Sequence, residues 1–202
     1  MKRPMCEDDA KGIDMGLASR IVSEAIPQEM SVRRFEAHVK RCQLQSFTFD
    51  YYMHGLVEEA GEVFEVVRAV PSGGVLRHTG IENVLSEIGD VLWYSTSLSL
   101  EIGGDLAMPQ MWPIGKPESE SEVLMMIAVA RLAGRVKESM RGDKPLQQFV
   151  PAMAQLRDEV LACCAEVTAN HGAILQQSAM KNVRKLSDRF ERSAVRGDGD
   201  SR

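Results

Sequence analysis

Two short acidic rows stand out in the chain. Glu58, Glu59, Glu62 and Glu65 fall in a stretch where Val63, Phe64, Val67 and Val70 recur near a helical period. Residues three and four apart share one helix face, so Glu59 and Glu62 project together, with Glu58 and Glu65 at the edges of that row. Glu87 and Asp90 repeat the spacing in the next apolar stretch, among Val84, Leu85, Ile88, Val91, Leu92 and Leu98. Like charges so placed destabilise an isolated helix by roughly a few tenths of a kcal/mol per pair. A lone E-x-x-E is ordinarily a solvated face; two such pairs on consecutive helices, each interleaved with a core stripe, point to a shared ligand. A short connection makes the two helices antiparallel neighbours. Glu59, Glu62, Glu87 and Asp90 then meet across the bundle, and hard oxygen donors of this kind suit Mg²⁺, or Mn²⁺ in its place. Gly61 and Gly89 each precede the last carboxylate of a pair. Glycine inside a helix costs about 1 kcal/mol relative to alanine, so a close helix approach or room for a ligand is expected there.

The elements that must position these groups are legible in outline. Ser31 is a good N-cap for a helix over 32–44. Residues 45–53 collect Phe47, Phe49, Tyr51 and Tyr52. A helix over 56–70 is stopped by Pro71-Ser72-Gly73-Gly74, and one over 81–102 is closed by Gly103-Gly104. Three prolines mark 108–121 as a loop. Ser121 caps a helix over 122–140, another covers 146–170 with Gly172 as its C-cap, and a last one runs over 174–192. A short helix is expected near 15–25. No stretch alternates as a β-strand does, so the class is all-α. The domain reading is an N-terminal extension over 1–30 and one helical domain over 31–202. Within the domain, 31–106 form the catalytic half, 107–172 an insertion and 173–202 a C-terminal helix and tail.

Composition narrows the function classes. The 202 residues are 44% hydrophobic and only 5% aromatic, with 12 methionines, which favours helices packed through aliphatic side chains. A net charge of −5 argues against a nucleic-acid-binding footprint over the whole chain. An anionic substrate would then need local cations. Cys6, Cys42, Cys163 and Cys164 show no C-x-x-C spacing, so neither a zinc site nor a disulfide framework is expected. Reduced thiols, with no secretory signal and no apolar run long enough to span a bilayer, point to the cytoplasm and away from a membrane.

The run Gly55-Leu56-Val57-Glu58-Glu59-Ala60-Gly61-Glu62-Val63 and the run Leu85-Ser86-Glu87-Ile88-Gly89-Asp90-Val91-Leu92-Trp93-Tyr94 resemble the paired acidic helices of MazG-like nucleotide pyrophosphohydrolases. Met180 to Arg189 is similar to the last helix of that family, and the ending Arg196-Gly197-Asp198-Gly199-Asp200 to a tail in one small subgroup. The resemblance covers about half the chain. It implies an antiparallel helical bundle, a nucleoside triphosphate substrate, cleavage to a monophosphate and pyrophosphate, and Mg²⁺ on Glu59, Glu62, Glu87 and Asp90. Glu58 or Glu59 would position or deprotonate the attacking water, and spacing does not choose between them. Lys181, Lys185 and Arg189 lie at i, i+4 and i+8 and either meet phosphate oxygens or form a basic solvated face. Asn182 would contact phosphate or metal-bound water. Tyr51, Tyr52 and Trp93 are candidates for stacking on a base, though core packing is the commoner use for any one of them.

Compact relatives pass almost directly from the second acidic helix to the last one; here about 65 residues intervene. Ala133-Gly134-Arg135-Val136-Lys137-Glu138 lines up with Ala60-Gly61-Glu62-Val63-Phe64-Glu65, and Glu159-Val160-Leu161 with Asp90-Val91-Leu92. The insertion therefore reads as a degenerate repeat of the catalytic pair. Leu132, Arg135 and Leu156 replace Glu59, Glu62 and Glu87, so it should hold no metal. Its helices are expected to complete the bundle as a second subunit would, burying Leu124, Ile127, Leu132 and Val136 on one and Leu156, Val160, Leu161 and Val167 on the other. Arg131 or Arg135 would lie near the site, and any homodimer would use another surface. Two other classes compete: a non-catalytic helical nucleotide-binding or adaptor protein, and a di-iron or di-manganese carboxylate bundle. The last ranks lowest, because no Glu is followed by His at the third position.

Overall fold

The computed structural model describes residues 30–43, 48–69, 78–103, 106–142 and 144–191. The expected helix near 15–25, the stop at Pro71 to Gly74 and the polar tail lie outside them. The described residues form six α-helices: α1 Val32–Cys42, α2 Phe49–Arg68, α3 His78–Ile102, α4 Ser121–Met140, α5 Val150–Asn170 and α6 Leu175–Glu191. No strand occurs among them, and the fold is all-α.

Ser31 caps α1 as expected, its Oγ accepting from the Arg34 amide at 3.3 Å. Phe35 of α1 packs edge-on against Trp112, with ring centroids 5.6 Å apart. The indole of Trp112 donates to the carbonyl of Met30 at 2.6 Å, which ties the loop before α4 to the start of the domain. Helix α2 begins at Phe49 and not near Leu56. The reason is its buried stripe: Tyr52 and Met53 continue the row of Leu56, Ala60 and Val63 on one face, so the aromatic segment is the first part of the helix. Gly103 and Gly172 close α3 and α5 with left-handed φ values of 68° and 71°. Ser121 does not cap α4. Glu120 takes the N-cap position with φ 61°, and the Ser121 hydroxyl donates to the Glu118 carbonyl at 3.1 Å. Before α5, Leu146–Gln148 form a separate 3₁₀ turn instead of the helix start expected there. Cys42, Cys163 and Cys164 are buried free thiols.

Helices α2 and α3 pack as one antiparallel pair and α4 and α5 as another; α2 meets α4, α3 meets α5, and α6 lies mainly on α3. Arg68 at the end of α2 pairs with Glu122 at the start of α4 at 2.8 Å, so these two also run antiparallel. The insertion thus shares the core of the acidic pair. Leu132, Val136, Val160, Leu161 and Val167 are buried as expected, and Leu156 is half-buried. Leu124 and Ile127 are not: they are 50% and 42% exposed. The inward stripe of α4 is Met125, Ala128, Val129, Leu132 and Val136, and positions 124 and 127 are rotated off it. Arg157 is buried between the two pairs. Its guanidinium reaches the Ser99 hydroxyl at 3.1 Å, the Leu106 carbonyl at 2.9 Å and the Asp158 carboxylate at 2.8 Å. A buried cation without such partners would be strongly destabilising. No described helix is long and apolar enough to cross a membrane.

Gly89 explains how α6 reaches α3. A Cβ there would lie 2.8 Å from the Ser178 carbonyl oxygen and 3.0 Å from Asn182 Cβ, whereas one on Gly61 meets nothing within 4 Å. Gly89→Val is therefore expected to cost roughly 1–3 kcal/mol through overpacking. Gly61→Ala should raise stability by up to about 1 kcal/mol, because only helix propensity changes. Thermal melts of both variants check the pair; a neutral Gly89→Val would show that α6 does not need the notch.

Candidate functional site

The α2–α3 seam brings the acidic rows together. One carboxylate oxygen from each of Glu59, Glu87 and Asp90 falls within a group no wider than 4.8 Å. Glu59 projects from α2 and the other two from α3, and each is at least half-buried. The Glu59 carboxyl is pushed up to about 9, first by burial and then by Asp90, Glu62 and Glu87, with Lys185 opposing. Without a cation, this side chain holds its proton through the neutral range. Glu62 is exposed and outside the three-residue group, yet close enough to raise Glu59. Glu58 is exposed on the outer side of α2.

Helix α6 supplies the positive side. Asn182 Nδ2 donates to Asp90 Oδ1 at 2.6 Å, and Lys185 Nζ donates to Asp90 Oδ2 at 2.6 Å. Both oxygens of Asp90 are thereby held from one helix, through the contact that Gly89 allows. Asn182 is 1% exposed, and its Oδ1 has no hydrogen-bond partner. A buried amide oxygen ordinarily finds a donor or a cation. Lys181 does not join this group: it bonds the carbonyl and the carboxylate of Glu82, the latter at 2.5 Å. Arg189 lies half-buried in the last turn of α6. Arg135 is engaged on the surface with Glu138 at 2.7 Å, and Arg131 is exposed.

The aromatic candidates separate. Tyr52 and Trp93 are core residues, packed edge-on with centroids 5.9 Å apart. Tyr51 is 40% exposed, and its hydroxyl lies 3.5 Å from that of Tyr94. Burial raises the Tyr94 phenol well above its ordinary range, followed by Tyr51 and then by Glu59 and Asp90, so it stays neutral beside the acidic cluster. Tyr94 was not singled out as a site residue by sequence. Its only signal was its place one turn after Asp90, and the glycine that makes room for it, Gly55, is on another helix.

The donors fit a hard divalent cation. They are all oxygens, they crowd enough to hold a carboxyl protonated, and an unpartnered amide oxygen sits on the helix that binds Asp90. Glu59, Glu87 and Asp90, with Glu62 at the rim, would hold such an ion. Residues 47–106 match the family model of the MazG nucleotide pyrophosphohydrolase domain. The match spans α2 and α3 and the segment between them, so the acidic seam lies within the matched residues. No curated protein and no solved structure gives a match to the chain.

The Glu59 shift has a stability consequence with a definite sign. Its folded value of about 9 lies above the ordinary value of 4.5. The contribution is therefore fully present below 4.5 and lost as pH rises through about 9. Glu59→Gln removes that loss. In chelator, the unaltered protein is expected to lose melting temperature between pH 5 and pH 9, and the variant to lose less. Parallel curves for the two proteins would contradict the crowding of Glu59.

Proposed function

We propose that the chain is a Mg²⁺-dependent nucleoside triphosphate pyrophosphohydrolase of the cytoplasm, cleaving between the α- and β-phosphates to give a nucleoside monophosphate and pyrophosphate. The observation that carries this reading is the convergence of Glu59, Glu87 and Asp90 at the seam of the two helices matched to the MazG domain. When bound, Mg²⁺ neutralises charge on the triphosphate and on the leaving pyrophosphate. Glu59, Glu62, Glu87 and Asp90 bind it. Asn182 and Lys185 fix the Asp90 carboxylate from α6, and Lys185 and Arg189 add positive charge on the helix next to the site. Glu59 is better placed than Glu58 to take a proton from the attacking water, because it lies in the cluster while Glu58 is exposed outside it. Lys181, held by Glu82, orders the α3–α6 contact instead of meeting phosphate.

We also propose that α4 and α5 are a degenerate copy of α2 and α3, so that each chain holds one site and any homodimer forms through another surface. Support comes from matched burial. Leu56 and Val63 correspond to Val129 and Val136, Val91 and Leu92 to Val160 and Leu161, and Leu98 to Val167; all are buried. The closing glycines, Gly103 and Gly172, correspond as well and share left-handed φ. The copy lacks the ligands, with Leu132, Arg135 and Leu156 at the acidic positions and Glu159 alone retained.

Two experiments test these readings. Incubation with a panel of triphosphates and Mg²⁺ should release monophosphate and pyrophosphate without orthophosphate, and Asp90→Asn should lower turnover at least a hundredfold while keeping the helical circular dichroism. Absence of hydrolysis across the panel would favour the adaptor class. Mn²⁺ titration followed by electron paramagnetic resonance should show binding that Asp90→Asn removes and Glu159→Gln leaves in place; dependence on Glu159 would contradict the loss of the second site.

A further inference from the structure

The outer side of α4 carries a row of side chains that the core does not use. Glu120, Leu124, Ile127 and Arg131 follow one another at intervals of four, three and four, so they line up along one side of the helix. The stripe that meets α2 and α5 is centred on Met125, Val129 and Leu132, and the row is rotated off it. Leu124 is 50% exposed and Ile127 42%, although both are large apolar side chains. Glu120 and Arg131 are exposed as well. Arg135, one turn further on, is taken up by Glu138 of its own helix at 2.7 Å. Glu120 and Arg131, in contrast, have no ion-pair partner among the described residues. The row therefore reads, from the start of the helix, as an acid, two apolar side chains and a base.

That order complements itself when it is reversed. Side chains alternating three and four apart are the pattern by which two helices pack along a seam. A second α4 laid antiparallel on the first sets Leu124 against the partner's Ile127 and Ile127 against the partner's Leu124. The same register brings Glu120 to the partner's Arg131 and Arg131 to the partner's Glu120. A parallel copy would instead set acid on acid and base on base, which repel. We propose that the chain forms a two-fold symmetric homodimer in which α4 packs antiparallel on α4 of a second copy through this row. Burial of the two apolar layers drives the association. The charge pairs lie at the rim, where they add little energy and instead fix direction and register. The contact is small, so the dimer is expected at micromolar concentration and to part on dilution. None of these residues belongs to the acidic seam, so the dimer stands apart from the hydrolase reading.

Sedimentation equilibrium of the full chain at low salt, over a range of concentrations, tests the proposal. The unaltered protein should pass from monomer to dimer as concentration rises. Leu124→Gln together with Ile127→Gln should weaken the dimer by about a hundredfold or more. Glu120→Arg alone and Arg131→Glu alone should each weaken it by about tenfold or more, because either change turns both charge pairs into like-charge contacts. Mixing those two single variants should restore a dimer, since each chain then supplies the charge that the other lacks. Circular dichroism checks that every variant keeps its helices. At concentrations where the unaltered protein is monomeric, the Leu124→Gln, Ile127→Gln variant should melt no lower than it does, because both side chains are exposed in the single chain. A marked fall there would mean that another segment of the same chain covers the row, and would overturn the proposal. So would a protein that stays monomeric, a dimer indifferent to these substitutions, or charge variants that fail to associate when mixed.

Discussion

Crowded negative charge between α2 and α3 is the constraint on which the rest of the structure turns. Packing two apolar stripes against each other brings Glu59, Glu87 and Asp90 into one half-buried group. Such a group is unfavourable by itself, because each carboxylate loses water and gains like-charged neighbours. Helix α6 answers part of this by placing the amide of Asn182 and the ammonium of Lys185 on the two oxygens of Asp90. That answer needs the helices to approach closely, which is why position 89 is glycine. What α6 leaves unbalanced shows on Glu59, whose carboxyl retains its proton far above the usual range. Stability and chemistry are thus set against each other at this seam, as is common where a site must bind a cation.

The scaffold around the seam is arranged to withstand that tension. Helices α4 and α5 complete a core that two amphipathic helices cannot close alone. The buried Arg157 fastens the insertion to the end of α3 and to the loop that follows it. The ion pair between Arg68 and Glu122 holds the far end of α2 against α4. Together they keep α2 from parting from α3 under the repulsion of its own acidic row.

Much of this was legible in sequence, for identifiable reasons. Helix type and number followed from apolar periodicity, and Gly103 and Gly172 marked the ends of α3 and α5 because a left-handed cap favours glycine. The acidic rows were visible through their spacing, and the fit of Gly89 was foreseeable as a close approach. Other features depended on tertiary packing. The aromatic segment before Leu56 was assigned to no helix, because scarce rings mask the stripe that Tyr52 and Met53 continue. Leu124 and Ile127 read as core, since hydrophobicity alone does not say which side of α4 faces α2. The separation of Lys181 from Lys185, one turn apart on α6, depends on Glu82, a residue with no place in any motif. Tyr94 and Gly55 are meaningful only together, and no spacing rule links them.

We propose that the seam is a cation site in which the Glu59 proton stands in the cation's place. Calorimetric titration of the protein with Mg²⁺ at pH 7.5, in two buffers of different ionisation enthalpy, measures it most directly. With the Glu59 carboxyl pushed up to about 9, binding should release close to one proton per ion, seen as a buffer-dependent heat that Glu59→Gln abolishes. Binding with no proton release, or no binding of Mg²⁺ at millimolar concentration, would contradict the account.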